Sequence, residues 1–181
     1  MSHFVKETTL SDIVNIFNIH QLAFPDEPSV AVLTDDLLKD DTAEPRISLL
    51  AFDADKPVGH ILFTKATIEN GDDNTLMHIL APLAVLPEYQ NKGIGGMLIK
   101  AGLKRLKEIG SKVVFVLGHI TYYPKHGFIT DAGNLGYPAP YPIPEKVKDA
   151  WMVMPLTSDG LINKGKVICA KAMDAPEHWV E

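Results

Sequence analysis

The feature that most constrains this sequence is a glycine-rich turn between an apolar run and an amphipathic helix. Residues 87–100 read PEYQNKGIGGMLIK, and they follow the mostly apolar run TLMHILAPLAVL. Gly93, Gly95 and Gly96 remove side chains where the backbone must pass from a strand to a helix. The helix that follows ends at Gly110, a residue typical of helix C-termini. Its apolar positions share one side and its lysines the other, which is the pattern of a helix lying on a sheet.

The residues of this turn are compatible with more than one role. Bare N–H groups at a helix N-terminus carry the positive end of the helix dipole and bind anions such as phosphate. Lys92 and the carboxamide of Gln90 could add to such a site. Glycines also occur in turns that are only tightly packed. A dinucleotide fingerprint requires G-x-G-x-x-G, but Leu98 stands three residues after Gly95, and no P-loop pattern fits. Phosphate binding and tight packing therefore both remain open from the motif alone.

The rest of the chain alternates between strand and helix patterns. In chain order we expect a short strand and a helix in VKETTLSDIVNIFNIHQLAF, a helix in SVAVLTDDLLKD, two strands joined by a tight turn in RISLLAFDADKPVGHILFTKATIE, the apolar strand and the helix described above, the strand KVVFVLG, a helical turn in HITYYPKHG, the brief strand FIT, and the final strands WMVMPL and GKVICAKA. This order predicts an α/β fold with a mixed sheet and helices on both faces, in a single domain over residues 1–181.

Three local features refine this prediction. Thr9 or Ser11 is a plausible N-cap of the first helix. Pro82 falls inside the apolar strand and has no N–H to donate, so we expect a bulge or a splayed edge there. Residues 132–150 form a long loop rich in proline and tyrosine, and loops of that length are often functional.

Composition excludes several classes of function. The formal net charge is −6, which argues against nucleic acid as the main partner. No apolar run approaches the roughly 20 residues of a membrane helix, and no signal peptide is recognisable. Cys169 is the only cysteine, so an internal disulfide and a cysteine-rich zinc site are excluded. We therefore expect a cytoplasmic protein without a metal site and without a membrane partner, and the sequence does not distinguish a monomer from a homodimer.

Two segments resemble the signatures of the GNAT superfamily of acyl-CoA N-acyltransferases. The segment Gln90-x-x-Gly93-x-Gly95, preceded by VLPEY, is similar to the family's pyrophosphate loop. The segment YPKHGF, in which Tyr123 stands four residues before Gly127, is similar to its second signature. The signatures occur in the family's order, and the resemblance is firm over residues 75–131. The compact VLGHITYYPKHGF segment looks most like the small YhbS-like branch.

The resemblance implies a fold, a cosubstrate and a set of residues that bind it. The implied sheet is mostly antiparallel and splayed between its fourth and fifth strands, and the implied cosubstrate is acetyl-CoA. The matching positions are Leu83, Ala84 and Val85 on the fourth strand, Gln90, Asn91, Lys92, Gly93, Ile94, Gly95 and Gly96 in the turn, and Leu117, Gly118 and His119 after the fifth strand. Many members carry an asparagine after the fifth strand, which is absent here, so contacts at residues 117–119 would come from the backbone.

The family's chemistry is direct attack of an amine on the acetyl thioester. The resemblance implies that a backbone N–H of the fourth strand polarises the acetyl carbonyl, and a bulge at Pro82 would free that N–H. Tyr123 is the implied general acid for the departing thiolate, because the pKa values of a thiol and a phenol, about 8.5 and about 10, are close. The alternative is that Pro82 only ends regular pairing and that Tyr123 only packs beside Tyr122, which we interpret as structural.

The sequence does not identify the base that deprotonates the amine. Conceivable bases are His60, His78, His119 and Glu27. The acidic residues of the second helical region could attract a cationic amine, or could form a solvated helix face; they are Asp26, Glu27, Asp35, Asp36, Asp40 and Asp41. Tyr137 and Tyr141 could line an acceptor pocket or hold the long loop in place, and Cys169 is best interpreted as a buried strand residue.

Two hypotheses about function follow from the sequence. The first is an N-acetyltransferase that transfers an acetyl group from acetyl-CoA to a primary amine of a small-molecule or amino-acid-like acceptor, by direct attack in a ternary complex. The second is a non-catalytic module that binds acyl-CoA as a sensor or regulator. Tyr123 favours the enzyme, whereas the unidentified base leaves the sensor open.

Overall fold

A computed structural model describes residues 2–180 as a mixed α/β fold built on one sheet. The described part of the chain forms seven strands: β1 (His3–Glu7), β2 (Ile47–Asp53), β3 (Lys56–Ile68), β4 (Met77–Val85), β5 (Val113–Leu117), β6 (Trp151–Pro155) and β7 (Val167–Ile168). Its α-helices are α1 (Ile13–Ala23), α2 (Pro28–Lys39) and α3 (Ile94–Glu108). Thr9, one of the two predicted caps, begins the helical region, and its N–H donates to the Asp12 carboxylate at 2.8 Å.

The sheet is mostly antiparallel, as expected. Strands β1 to β6 lie side by side in chain order, and β7 pairs with the far end of β3. Only the β4–β5 pair is parallel among the described strands. A parallel pair needs a long crossover, and α3 with its glycine-rich turn provides it.

The predicted splay between β4 and β5 is confirmed. The two strands pair over four residues each, from Met77 opposite Val113 to Leu80 opposite Val116. Beyond Leu80, β4 continues to Val85 and pairs only with β3. The edge of β4 that faces β5 is therefore open over its last five residues.

The predicted bulge is also present, at the point where the splay begins. In the β3–β4 ladder, Ile61 lies opposite Leu83, whereas Phe63 lies opposite Leu80. Leu62 therefore faces two residues of β4, Ala81 and Pro82. Two residues opposite one define a β-bulge, and the proline, which has no N–H, occupies it.

Helices cover both faces of the sheet because the side chains of β3 alternate between them. On one face, an added Cβ at Gly59 would lie 3.1 Å from Leu98 of α3, and Phe63 lies against Gly102 of the same helix. On the other face, His60 bonds His20 of α1 at 2.8 Å. The absence of a side chain at Gly59 lets α3 approach β3 closely.

The C-terminal third departs from two expectations. The predicted strand FIT is only one bridge, between Ile129 and Val153, and the predicted strand GKVICAKA shortens to the two residues of β7. The reason is that β7 meets only the last two residues of β3. The chain then turns toward the end of α2, where the N–H of Lys171 donates to Thr42 and that of Ala172 to Asp40, each at 2.9 Å.

Candidate functional site

The glycine-rich turn presents unpaired N–H groups at the start of α3. Gly93 caps the helix with φ +83°, and Asn91 also has a positive φ, 59°. The N–H of Met97 makes the first intrahelical bond, to the carbonyl of Gly93 at 3.0 Å. The N–H groups of Ile94 and Gly95, and of Gly96 after them, precede that bond and have no partner within the helix. This geometry makes the turn a candidate anion site, because N–H groups at a helix N-terminus can hold phosphates.

Of the side chains beside the turn, that of Gln90 is hydrogen-bonded to β4, and those of two lysines lie over the Tyr89 ring. The Gln90 carboxamide donates to the carbonyl of Val85 at 3.0 Å, so in this structure it ties the turn to β4. The ammonium groups of Lys92 and Lys56 lie 5.5 and 5.1 Å from the ring centre of Tyr89. Lys56 is paired with the Glu88 carboxylate at 3.1 Å, so Lys92 supplies the positive charge beside the turn.

A cavity of about 520 Å³ extends from this turn into the splay between β4 and β5. Of the residues predicted to bind the cosubstrate, those lining it are Leu83, Val85, Gln90, Asn91, Gly93, Ile94, Gly95, Gly96 and His119. Tyr123 lines it too. Four predicted positions lie elsewhere: Ala84 is buried, Lys92 is exposed outside it, and Leu117 and Gly118 line a neighbouring cavity.

Backbone N–H groups of β4 point into the splay. The N–H of Leu86 donates to the carbonyl of Val58, on the β3 side, at 2.9 Å. Because N–H groups alternate along an extended strand, those of Leu83 and Val85 face the opposite side, where β5 has diverged. Ala84, whose N–H points toward β3, does not offer a donor to the cavity.

Two tyrosines occupy the space that two glycines leave open. An added Cβ at Gly95 would overlap the hydroxyl of Tyr122, and one at Gly118 would overlap the ring of Tyr123. The two rings contact each other edge to face, with centres 5.1 Å apart. Tyr123 is 8% exposed, and burial raises the pKa of Tyr122. Tyr122, which the sequence led us to interpret as structural, therefore also lines the cavity beside the turn.

A second cavity, of about 580 Å³, opens on the other side of the splay. We call the first the turn cavity and the second the apolar cavity. The residues that line both are Phe24, Leu83, His119 and Tyr123. These four residues mark the junction, where a group held in one cavity would meet a group held in the other.

The structure separates the four candidate bases into two pairs. His60 and His78 are fully buried and line neither cavity. Burial lowers the pKa of His78 to about 4, and burial together with the neighbouring His20 lowers the pKa of His60 well below its usual value. Both are hydrogen-bonded scaffold, His60 to Ser48 and His78 to Ser111 at 2.8 Å. His119 and Glu27, in contrast, line the apolar cavity.

The acidic residues around α2 have separate roles. Glu27 lines the apolar cavity, whereas the carboxylate of Asp35 pairs with Lys39 at 2.7 Å on the helix surface. Asp40 accepts hydrogen bonds from the N–H groups of Thr42 and Ala172. Within the described part of the chain, Glu27 alone of these six residues reaches either cavity. The solvated-face interpretation therefore suits Asp26, Asp35, Asp36 and Asp41, whereas Asp40 holds the C-terminal segment.

Other candidates from the sequence lie outside both cavities. Tyr137 is fully buried against Phe115, and the Tyr141 hydroxyl donates to Asp174 at 2.9 Å, so both hold the long loop in place. Cys169 lies just after β7 and is half-buried, so the expectation of a buried strand residue was wrong. Burial still raises the pKa of its thiol to about 12, which keeps it protonated. Among residues 2–180 no group of three His, Cys, Asp or Glu side chains is arranged to hold a metal ion, and no helix there is long and apolar enough to cross a membrane.

Sequence reasoning missed Phe24 at the junction and the C-terminal residues His178, Trp179 and Val180 in the apolar cavity. No local motif marks these residues, because they reach the splay only through packing of distant segments. The available signal for Phe24 was that an aromatic residue stands at the C-terminus of the first helix.

Known proteins are similar to this chain in sequence and in fold. The profile of the acetyltransferase (GNAT) domain matches residues 5–130. The chain is 51% identical over 163 residues, 90% of each chain, to the uncharacterized N-acetyltransferase YjhQ of Escherichia coli strain K12. Its fold matches that of the GNAT family protein YhbS from Escherichia coli, solved in complex with CoA, with a TM-score of 0.84 and 24% identity over 96% of this chain and 92% of that one.

A second solved structure has the same fold. It is a GNAT family acetyltransferase from Brucella melitensis in complex with acetyl-CoA, which matches with a TM-score of 0.75 and 24% identity over 96% of this chain and 99% of that one. The resemblance first carried by the two signature segments is thus confirmed by the family profile, by a relative that matches over most of both chains and by the fold. The chain belongs to the GNAT family of acetyltransferases.

Proposed function

We propose that the protein is an N-acetyltransferase that transfers the acetyl group of acetyl-CoA to the primary amine of a small acceptor, by direct attack in a ternary complex. The observation that carries this proposal is the junction, where Phe24, Leu83, His119 and Tyr123 line both cavities. One cavity begins at an anion site and the other does not. Two different substrates can therefore enter from opposite sides and meet at the splay.

The turn cavity suits acetyl-CoA. The N–H groups at the start of α3 would hold the pyrophosphate, and Lys92 beside them would add positive charge. The open edge of β4 would receive the pantetheine arm, because the N–H of Val85 faces it. Two solved proteins of the same fold were crystallised with CoA or acetyl-CoA, which supports this assignment.

The reaction needs a donor to the acetyl oxygen and an acid for the leaving group. The N–H of Leu83 would polarise the acetyl carbonyl as the amine nitrogen attacks its carbon. The carbon–sulfur bond then breaks, and Tyr123 would protonate the departing thiolate. A phenol with a pKa near 10 and a thiol with a pKa near 8.5 are close enough for this transfer. Tyr123 reaches the junction because Gly118, which has no side chain, leaves room for its ring.

The amine must lose a proton before or during attack. His119 and Glu27 are the candidate bases that line the apolar cavity, and His119 also lies at the junction. His60 and His78 are buried away from both cavities. The proton would therefore leave through His119 or Glu27, directly or through water.

The experiment that tests this proposal is amine-dependent release of free thiol. The purified protein is incubated with acetyl-CoA and a panel of primary amines, and a thiol-reactive chromophore follows coenzyme A. We expect release above the amine-free rate and a matching acetylated amine by mass spectrometry. Tight acetyl-CoA binding with no amine-dependent release across the panel would overturn the enzyme proposal and favour the acyl-CoA sensor.

A further inference from the structure

The apolar cavity is lined mostly by apolar side chains, with a few polar groups among them. Its walls come from α2, from β4 and β5 on either side of the splay, and from the C-terminal segment. The apolar residues that line it are Phe24, Val30, Leu33, Ile79, Leu80, Ala81, Pro82, Leu83, Val116, Leu117, Met173, Trp179 and Val180. A cavity of this size and lining binds small molecules through burial of apolar surface.

The ionisable side chains on this lining are few: one carboxylate, two imidazoles and the phenol of Tyr123. Glu27 is acidic and lies exposed, and His119 and His178 are the imidazoles. Of the described residues that line the cavity, none is lysine or arginine. A cationic amine can therefore meet a carboxylate here, whereas a substrate carboxylate would meet no fixed positive charge.

The C-terminal wall is held in place before any ligand binds. Asp40 and Thr42 accept the N–H groups of Ala172 and Lys171, as described above. The Trp179 indole N–H donates to the carbonyl of Met173 at 3.0 Å. These bonds tie residues 171–179 to the end of α2, so the shape of the cavity is largely preformed.

We propose that the acceptor is a primary amine on an apolar or aromatic body that carries no carboxylate. This inference rests on the proposed function and narrows its acceptor, which the sequence left open between small amines and amino-acid-like compounds. The hydrocarbon body fills the apolar cavity, and the amine points to the junction. A carboxylate next to the amine would be taken out of water with no lysine or arginine to pair with it, which is costly.

Three amines test the inference directly. These are 2-phenylethylamine, L-phenylalanine, which adds only the carboxylate, and putrescine, which lacks the apolar body. We expect kcat/KM for 2-phenylethylamine to exceed that for L-phenylalanine roughly 100-fold, because the unpaired carboxylate is rejected. Putrescine should also be a poor substrate. Equal or better turnover of L-phenylalanine or putrescine would overturn the inference.

A matched pair of variants tests whether this cavity is responsible. Val30→Arg introduces a cation on the lining, whereas Val32→Arg places the same side chain on the exposed surface of the same helix, where Val32 is 51% exposed. Val30→Arg should lower kcat/KM for 2-phenylethylamine and raise it for L-phenylalanine, with acetyl-CoA affinity unchanged. Val32→Arg should leave kcat/KM unchanged for both amines. The same response in both variants would overturn the assignment to this cavity.

A binding measurement separates failure of this inference from failure of the proposed function. The CoA complex is titrated with each of the three amines, and NMR chemical shifts are followed. Selective binding of 2-phenylethylamine, with shifts at Val30 and Trp179, would support the ligand class even if no thiol were released. Equal binding of all three amines, or binding away from this cavity, would overturn the inference even in an active enzyme.

Discussion

Two glycines and two tyrosines define the site at the scale of single residues. Gly95 and Gly118 leave open the space that the Tyr122 hydroxyl and the Tyr123 ring occupy. Both tyrosines line the turn cavity, one beside the start of α3 and one at the junction. A glycine is therefore required at each position for a packing reason, in addition to any close approach by a phosphate.

Gly95→Val should weaken coenzyme A binding. The new side chain would displace the Tyr122 hydroxyl and cover the N–H groups at the helix N-terminus. We expect the Kd for acetyl-CoA to rise at least about tenfold, which corresponds to about 1.4 kcal/mol. Calorimetric titration measures it, with Gly133→Val as the control, because Gly133 has no neighbour within 4 Å of an added Cβ. Unchanged affinity would remove the phosphate role of the turn.

Tyr123→Phe should lower turnover and leave cosubstrate binding intact. The variant keeps the ring that packs on Phe128, with centres 5.6 Å apart, and removes only the hydroxyl. Loss of a general acid typically lowers kcat by about 100-fold or more. Tyr122→Phe is the matched control, and steady-state kinetics with binding titrations compare the two. Equal turnover of Tyr123→Phe and the parent would contradict the general-acid role.

Part of this site was predictable from the sequence at residue scale. The turn and the YPKHGF segment are short and local, so their glycines and Tyr123 could be predicted from the resemblance to the two family signatures. The hydrogen bond from Gln90 to Val85 could not be predicted, because it depends on where β4 ends. Phe24 and Trp179 join the site from segments far apart in the chain, and single-sequence patterns carry no information on that packing.

At the scale of elements, the bulge and the splay in β4 produce the site. Pro82 has no N–H to donate, and pairing with β5 ends two residues before it. The open edge then exposes the N–H groups of Leu83 and Val85. The proline in an apolar run was enough to predict this irregularity, whereas the ends of β7 depend on how far β3 extends beyond β4.

Gly102→Ala tests the packing of α3 on the sheet. Alanine favours a helix more than glycine does, but its methyl group would overlap the Phe63 ring in a fully buried contact. We expect a net loss of about 1 to 3 kcal/mol in the free energy of unfolding, as for other overpacked cores. Urea denaturation measures it. Lys104→Ala, on the exposed side of the same helix, should change stability by less than about 0.5 kcal/mol. A stabilised Gly102→Ala protein would contradict this packing.

At the scale of the whole molecule, three buried histidines connect α1 and the loops to the sheet. His20 bonds His60, and His60 bonds Ser48, each at 2.8 Å. His78 bonds the carbonyl of Pro45 at 2.6 Å. Burial lowers the pKa of His20 to about 3 and that of His78 to about 4, and the pKa of His60 is also well below its usual value.

These pKa values make the fold sensitive to mild acid. Unfolding returns each imidazole to a pKa near 6.5, so below that pH the unfolded chain binds protons that the folded chain excludes. Stability should therefore be full above pH 6.5 and fall as the pH is lowered toward 4, by up to about 1.4 kcal/mol per pH unit for each histidine.

Urea denaturation at pH 7.5, 6 and 5 measures this dependence. A free energy of unfolding that stays constant from pH 7.5 to 5 would show that the buried histidines do not titrate as described.

The most direct test of the central claim is calorimetric titration of the purified protein with acetyl-CoA and, separately, with NAD. The central claim is that the turn at the start of α3, together with the open edge of β4, holds coenzyme A. We expect one-to-one binding of acetyl-CoA in the micromolar range and no binding of NAD. Absence of acetyl-CoA binding would mean that the glycines of the turn serve packing alone, and both the enzyme and the sensor would be excluded.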